Sequence, residues 1–305
     1  MADTSDRLKH LWGVYGRTGA LLAAIVGGIG FPEAHTLVFL VPYLVALMLF
    51  FSFVDLSIGG DAFERGVWRV LVANVAIAFL GYLLLLPVSL DLALVAFFAG
   101  VSPTAVSAPV LIGLLGGRVQ YVVASVLLTN IVMAFILPFV LPIVAGRGVM
   151  ISALAVVQSV VLIVFVPMGA ARAVRYLPTG LGRLVRMGKA WTFYALPPSI
   201  FLTTARASFF IRYEVTASAG LLAGIAFVSL AVCVVNFVVG AIIGGRGRTR
   251  EGSQALGQKN NSFTIWLALA FVSPLAALGP TFYVVYHNVY NSFQLYRFQK
   301  GQRPA

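Results

Sequence analysis

Residues 255–270 read ALGQKNNSFTIWLALA, so a polar run stands inside a segment that is otherwise apolar. Five of the six residues from 257 to 262 are polar, and the apolar run resumes at Phe263. A loop between two helices does not explain that immediate return. Because lipid cannot satisfy unpaired backbone groups, such an interruption must face protein or a water-filled cavity. The stretch therefore predicts a membrane-spanning helix that is broken near its middle.

A second interruption lies in the first half of the chain, where residues 102–109 read SPTAVSAP. Two prolines and several small residues break an apolar segment there. The two interruptions are about half a chain length apart, each in the fourth span of a five-span unit. A unit with an odd number of spans inserts in the opposite orientation when it is repeated, which produces an inverted repeat. The alternative is that the prolines are ordinary kinks and the polar run is a misplaced loop.

The composition is that of a membrane protein. Of the 305 residues, 60% are hydrophobic and 10% are charged, whereas soluble domains are roughly half apolar and a quarter charged. Apolar runs of about 18 or more residues, each long enough to cross a bilayer, recur along the chain. We therefore predict an all-α membrane protein with ten spans, near residues 18–31, 36–57, 67–88, 90–115, 119–144, 149–170, 190–211, 216–244, 252–273 and 275–296.

The formal net charge of +12 is explained by topology. Nearly all of the 21 Lys and Arg residues fall in segments that a ten-span chain with a cytoplasmic N-terminus places inside, whereas Arg147, Arg206 and Arg212 fall outside. Basic residues concentrate on the cytoplasmic side of membrane proteins. We therefore expect a multi-pass protein of a bacterial-type inner membrane, with both termini cytoplasmic. The lipid bilayer, and not nucleic acid, accounts for the basic residues.

Lys259 is the most informative single residue, because it lies inside the ninth span. A lysine at mid-membrane costs roughly 3 kcal/mol or more on insertion scales, so it should have a partner or a purpose. It could pair with a substrate carboxylate or exchange a proton. The alternative is that Lys259 extends to the cytoplasmic surface from the start of the span.

Polar side chains on both sides of the breaks, and in the last span, complete the candidate site. Amide and hydroxyl groups beside Lys259 can bind a solute or satisfy broken-helix backbone. In span ten, the imidazole of His287 could shuttle protons, or His287 and Asn288 could lock that helix to a neighbour. The candidate binding or coupling residues are Lys259, Gln258, Asn260, Asn261, Ser262, Pro103, Thr104, Ser107, Pro109, His287 and Asn288.

Enzymatic and metal chemistry lack suitable residues. The chain has one cysteine, Cys233, and three histidines scattered at positions 10, 35 and 287. These cannot form a metal site at the usual spacings. No catalytic pair of acids lies in the membrane, and no glycine-rich nucleotide loop is present. We therefore predict that the protein is not an enzyme and carries no cofactor.

The motifs at the breaks resemble those of the bile acid:sodium symporter family, within the group that also includes arsenite-efflux proteins. The first crossover runs from Ala99-Gly100-Val101-Ser102-Pro103 to Leu115-Gly116-Gly117-Arg118, like the family's proline-containing stretch. Leu256-Gly257-Gln258-Lys259-Asn260 is similar to its glycine, any residue, glutamine, asparagine motif. Tyr286-His287-Asn288 matches its aromatic-histidine-asparagine motif.

The resemblance implies ten spans in two inverted five-helix repeats, residues 1–148 and 149–305. It implies a core domain from spans 3–5 and 8–10 and a panel domain from spans 1, 2, 6 and 7. Broken spans four and nine would cross near mid-membrane, with substrate bound in the cleft between the domains. Arsenite efflux is disfavoured, since that branch relies on a cysteine near the first crossover and Cys233 lies in span eight.

The sequence departs from the family at the sodium ligands. Sodium needs several oxygen ligands, and this chain has apolar or cationic residues where the family has hydroxyl, amide and carboxylate groups. The resemblance thus implies a secondary transporter of a small organic anion that is sodium-independent, either proton-coupled or facilitative, with Lys259 in place of a sodium ion. A transport-inactive receptor or scaffold and a sodium-coupled symporter are the alternatives. The residues at the sodium-ligand positions are Ala108, Pro109, Val122, Val126, Ala255 and Lys259.

Overall fold

The computed structural model describes residues 19–54, 63–146, 152–188, 190–214 and 218–301. Within these ranges the chain is almost entirely helical and contains no β-strand. The prediction that both termini are cytoplasmic concerns residues that lie outside the described ranges. In chain order the helices are α1 (Gly19–Gly30), α2 (Val41–Val54), α3 (Arg65–Leu85), α4 (Leu90–Val101), α5 (Ala108–Leu114), α6 (Val119–Val144), α7 (Ala153–Val160), α8 (Val166–Ala173), α9 (Thr179–Met187), α10 (Ala190–Phe209), α11 (Ala219–Gly244), α12 (Thr249–Gly257), α13 (Asn261–Phe271) and α14 (Pro274–Gly301).

Short segments of tighter or wider helix join some of these elements. A 3₁₀ segment, Pro32–Leu40, leads into α2, and a second, Val174–Tyr176, follows α8. A π-helical segment, Val161–Phe165, joins α7 to α8, and another, Phe210–Glu214, extends α10. Helix α10 runs unbroken through two adjacent prolines.

Within the described part of the chain, five helical segments are long and apolar enough to cross a membrane. Large apolar side chains also cover their outer surface, for example Leu84, Phe139, Ile143 and Phe227, each of which is mostly exposed. Such a surface is unfavourable in water and suits lipid. The chain therefore has the properties of a membrane-embedded protein. The five segments are Pro32–Phe51, Arg65–Leu85, Val119–Val144, Leu154–Ala173 and Ala219–Gly244.

The two predicted interruptions are real breaks between helices. Helix α4 ends at Val101, where Ser102 has an extended backbone with ψ 130°. Proline disfavours the helical conformation in the residue before it, so Pro103 explains this end. The other proline, Pro109, lies in the first turn of α5, a position that tolerates proline. Only Pro103 therefore belongs to the first break.

The second break is shorter than the sequence predicts. Helix α12 ends at Gly257 and α13 already begins at Asn261, so residues 258–260 alone are non-helical. Asn261 and Ser262, expected in the interruption, form the first turn of α13.

Glycines bring the helices before each break close to their neighbours. A Cβ added to Gly252 of α12 would overlap the Gly240 carbonyl oxygen of α11. A Cβ added to Gly100 of α4 would lie 2.9 Å from the Ala78 Cα of α3. Helix α4 also packs against α11, α13 and α14 and is buried from Ala93 onward. Both half-helices are thus held at the centre of the bundle.

Candidate functional site

The two breaks pair with each other through their backbones. The Asn260 N–H donates to the Pro103 carbonyl at 2.7 Å, and the Ala105 N–H donates to the Gln258 carbonyl at 2.8 Å. These bonds flank an antiparallel bridge between Thr104 and Lys259. Each break therefore satisfies backbone groups that the other leaves without helical partners, which a membrane interior requires.

Helix α6 fixes the first break with two polar side chains. The Thr104 N–H donates to Thr129 Oγ1 at 2.9 Å, and Asn130 Nδ2 donates to the Thr104 carbonyl at 2.9 Å. The Thr104 hydroxyl in turn donates to the Ala255 carbonyl of α12 at 2.6 Å. All three polar side chains are buried. Thr104 is thus held on three sides, and its role is to join α6 and α12.

Lys259 is buried at the crossing and does not extend to the surface. Its side chain is 2% exposed, and Nζ donates to the Gly100 carbonyl at 3.0 Å and to Asn74 Oδ1. Gly100 lies in the last turn of α4, where carbonyl groups lack helical partners and carry partial negative charge. Neither contact is with a carboxylate. The ammonium therefore compensates the C-terminal end of a half-helix.

Asn74, on α3, connects this lysine to the helix end. Its Nδ2 donates to the Val101 carbonyl at 3.1 Å while its Oδ1 accepts from Lys259. The side chain is 1% exposed. Asn74 is therefore the second polar component of the lysine pocket, and none of the sequence motifs includes it.

The amides around Lys259 have both satisfied and free hydrogen-bonding groups. Gln258 Nε2 donates to Ser107 Oγ at 2.8 Å, and Asn260 Nδ2 donates to Asn130 Oδ1 at 3.2 Å. Asn261 Oδ1 accepts from the Ser102 hydroxyl at 3.0 Å. By contrast, Gln258 Oε1 and Asn261 Nδ2 are buried without a partner among the described residues.

The unpartnered donor of Asn261 belongs to the first turn of α13. Asn261 is the first residue of α13, a helix whose first backbone N–H groups have no partner within the helix itself. Ser262 is buried in the same turn. This turn therefore holds two buried polar side chains, of which Asn261 has a donor without a partner among the described residues.

Helix α14 contacts the crossing through a residue that the sequence did not single out. The Tyr283 hydroxyl donates to the Gly257 carbonyl at 2.7 Å and so caps the end of α12. His287 packs edge-on against the Tyr283 ring, and its Nδ1 is buried without a partner among the described residues. Asn288 Nδ2 donates to Val284 of its own helix at 2.7 Å. Tyr283, rather than the His287 and Asn288 pair, joins α14 to α12.

Several residues at the crossing belong to none of the sequence motifs, although their polarity within apolar helices could have identified them. Asn74, Thr129, Asn130 and Tyr283 are polar side chains within long apolar helices. Polar residues in such helices usually face the protein interior and find partners there. Each of these four does so here.

Within the described ranges, no three His, Cys, Asp or Glu side chains lie close enough together to hold a metal ion. The site chemistry is thus that of amides, hydroxyl groups, helix ends and one ammonium. No protein-family model matches the chain, and a search among curated proteins found no match.

Proposed function

We propose that this protein is a sodium-independent secondary transporter of a small organic anion, working by alternating access. The observation that carries the proposal is the central pairing of two broken helices with a buried ammonium at the crossing. Secondary transporters bind their substrates and coupling ions at such discontinuous helices. Proton-coupled and facilitative transport both fit.

The proposed architecture is ten membrane spans in two inverted five-helix repeats, residues 1–148 and 149–305. Each repeat would contribute one broken span, formed by α4 and α5 in the first and by α12 and α13 in the second. The antiparallel pairing of the breaks supports this symmetry, because repeats of opposite orientation bring equivalent segments together in opposite directions. Spans 3–5 and 8–10 would form a core domain, and spans 1, 2, 6 and 7 a panel domain.

The preference for an anion follows from the groups that the crossing offers. Asn261 Nδ2 is a buried donor without a partner among the described residues, it belongs to the first residue of α13, and a helix N-terminus favours negative charge. No carboxylate takes part in the hydrogen bonds of Lys259 or of its neighbouring amides. A carboxylate-bearing solute fits this site better than a cation does.

Sodium independence follows from the side chains at the positions where the resembled family has sodium ligands. Ala108, Val122, Val126 and Ala255 are buried and have no side-chain oxygen. Lys259 supplies a positive charge within the same region. A carrier with these side chains needs no sodium ion to offset the partial negative charge of its half-helix ends.

The test is solute flux in liposomes that contain the purified protein. Thermal stabilisation against a panel of organic acids would first identify a ligand, because a ligand that binds the folded state raises apparent stability. We expect uptake of that ligand without sodium, and stimulation by a proton gradient if Lys259 takes part in coupling. Absence of flux for every stabilising ligand, with and without proton and sodium gradients, would reject the carrier.

A transport-inactive receptor or scaffold is the second candidate. It is favoured by the number of crossing side chains that already bond to one another, which include those of Ser107, Gln258, Asn130 and Asn260. Ligand stabilisation without flux would identify this class. Flux that requires sodium would instead identify a sodium-coupled symporter.

The proposed location is a bacterial-type inner membrane with both termini cytoplasmic. The charge distribution along the sequence supports this topology. Reporter fusions at each end, active only in the cytoplasm, test it directly.

A further inference from the structure

Helix α9 lies at the ends of two segments that are long and apolar enough to cross a membrane. It follows Leu154–Ala173 in the chain, and its own end lies beside the end of Pro32–Phe51. A Cβ added to Gly188, the residue after α9, would lie 2.6 Å from the Phe51 ring. Helices α2 and α8, which belong to these two segments, also pack against each other. The position of α9 is therefore that of a helix at the edge of a bilayer.

The chain around α9 carries positive charge without any acid. Residues 171–190 contain five Lys and Arg residues and no Asp or Glu. Among them, the side chains of Arg172 and Arg183 are exposed. A guanidinium group matches the oxygens of a phosphate and binds them through paired hydrogen bonds. The complementary ligand is thus an anion, and a phosphate group suits it best.

Large apolar side chains are exposed in the same stretch. Tyr176 is 84% exposed and Met187 is 72% exposed. At 3.6 residues per turn, the sequence of α9 places Leu181 and Val185 on one side of the helix and Arg183 on the opposite side. Helices of this kind lie in the plane of the membrane interface, with basic residues at the headgroups and apolar residues at the acyl chains. This combination favours a phospholipid over a free phosphate ion.

We propose that residues 172–187 form a binding surface for anionic phospholipids. The headgroup phosphate binds the exposed arginines, and the acyl chains contact the exposed apolar side chains of the same stretch. Anionic lipids give the cytoplasmic leaflet its negative surface potential, and the charge distribution along the sequence predicts that residues 171–190 lie on that side. The proposal goes beyond the proposed function, because it concerns a lipid and not a transported solute.

The experiment measures the melting temperature of the purified full-length protein in a neutral detergent. Phosphatidylglycerol, phosphatidylcholine with the same acyl chains, or soluble glycerol phosphate is added at equal concentration. We expect phosphatidylglycerol to raise the melting temperature of the wild-type protein by a few degrees relative to phosphatidylcholine, because a ligand of the folded state raises apparent stability. Glycerol phosphate, which has the headgroup charge but no acyl chains, should leave the melting temperature unchanged.

Two charge-matched double variants locate the effect. Arg172→Gln with Arg183→Gln should lose most of the difference between the two lipids. Arg65→Gln with Arg246→Gln removes the same charge from exposed arginines elsewhere in the chain and should retain that difference. An equal loss in both double variants would overturn the proposal, because the lipid effect would then follow total charge and not this surface.

Two outcomes with the wild-type protein alone would also overturn the proposal, so the test does not depend on the folding of a variant. One is an equal melting temperature in phosphatidylglycerol and phosphatidylcholine. The other is a rise with glycerol phosphate as large as that with phosphatidylglycerol, which would identify a site for a free phosphate group. None of these measurements requires solute flux, so failure of the lipid surface is distinguishable from failure of the carrier.

Discussion

The two breaks are bridged to each other, yet their hydrogen-bonding partners come from different sources. The first break, residues 102–107, is held mainly by side chains that reach it from α6. The second break, residues 258–260, reaches outward with its own side chains to the first break, α3, α4 and α6. The first break is thus held by side chains from α6, and the second break contributes side chains that bond to its surroundings.

The two helix ends at the crossing differ in the same way. The end of α4 is capped by the Lys259 side chain, whose Nζ donates to the Gly100 carbonyl at 3.0 Å. The end of α12 is capped by a neutral hydroxyl, that of Tyr283, at 2.7 Å from the Gly257 carbonyl. Two helix ends that meet at one antiparallel bridge are therefore capped by different groups, an amino group and a hydroxyl group.

The largest effect is expected from the glycine that packs the helix before the second break. In Gly252→Ala the new Cβ overlaps the Gly240 carbonyl oxygen and lies 2.8 Å from Gly244 Cα, so two backbones must separate. We expect a loss of about 3 kcal/mol or more, at the upper end for overpacked sites. Thermal melting and the monodisperse fraction after purification measure it.

Substitutions at two other glycines provide the comparison for Gly252→Ala. Gly100→Ala should cost less, about 1 to 3 kcal/mol, because its Cβ would lie 2.9 Å from Ala78 Cα and 3.2 Å from Ala78 Cβ. Gly220→Ala is the control, since its Cβ meets nothing nearer than Ser218 Oγ at 3.8 Å. If Gly252→Ala were as stable as Gly220→Ala, α11 and α12 would not pack as closely as the structure shows.

The second prediction compares the two asparagines that meet between α6 and the second break. Asn130→Leu leaves the buried Thr104 carbonyl without its side-chain donor, and we expect a loss of about 2 kcal/mol. Asn260→Leu should cost less than about 1 kcal/mol, because Asn260 is half-buried and, among the described residues, its amide donates to a side chain, Asn130, at a long 3.2 Å. Melting temperatures of the two variants test the order. An equal or reversed order of the two melting temperatures would mean that the hydrogen bond from Asn130 of α6 does not hold the first break in place.

The sequence predicted the breaks because their signals are local. Pro103 ends α4, and the polar run at residues 257–262 contains the end of α12. The partners were not predictable from these signals. Asn74 is 185 residues from Lys259 in the chain, and only the folded bundle brings them into contact. The sequence singled out Lys259 because a charge within an apolar span must find a partner, and the structure places its side chain, buried, against Asn74 and Gly100. Its role in binding or coupling stays a prediction.

Proline was a less reliable signal than polarity. Helix α10 contains Pro197 and Pro198 and α6 contains Pro138 and Pro142, and both helices continue through them. In a bundle, neighbouring helices and local adjustments can satisfy the backbone group that a proline frees. A proline breaks the helix at Pro103, where the backbone of the second break offers alternative partners.

The third prediction removes the neutral cap of α12. Tyr283→Phe keeps the ring against His287 and deletes the hydroxyl that donates to Gly257, so we expect a loss of about 1 kcal/mol. Tyr286→Phe is the matched control, since its half-buried hydroxyl donates to the Ala226 carbonyl at a longer 3.2 Å. Thermal melting should show the larger shift for Tyr283→Phe. Equal shifts would mean that the Tyr283 hydroxyl does not stabilise the end of α12.

The smallest effect is expected at Pro109, which the sequence placed in the first break and the structure places in the first turn of α5. An N–H restored there by Pro109→Ala needs no helical partner, so the loss should be below about 1 kcal/mol and come largely from the unfolded chain. Pro103→Ala should cost more, because Ser102 is then free to extend α4 and to displace the carbonyl that accepts from Asn260. Melting temperatures of the two variants give the comparison. If Pro109→Ala were as unstable as Pro103→Ala, both prolines would define the first break. The break would then extend past Ala108, into the first turn of α5.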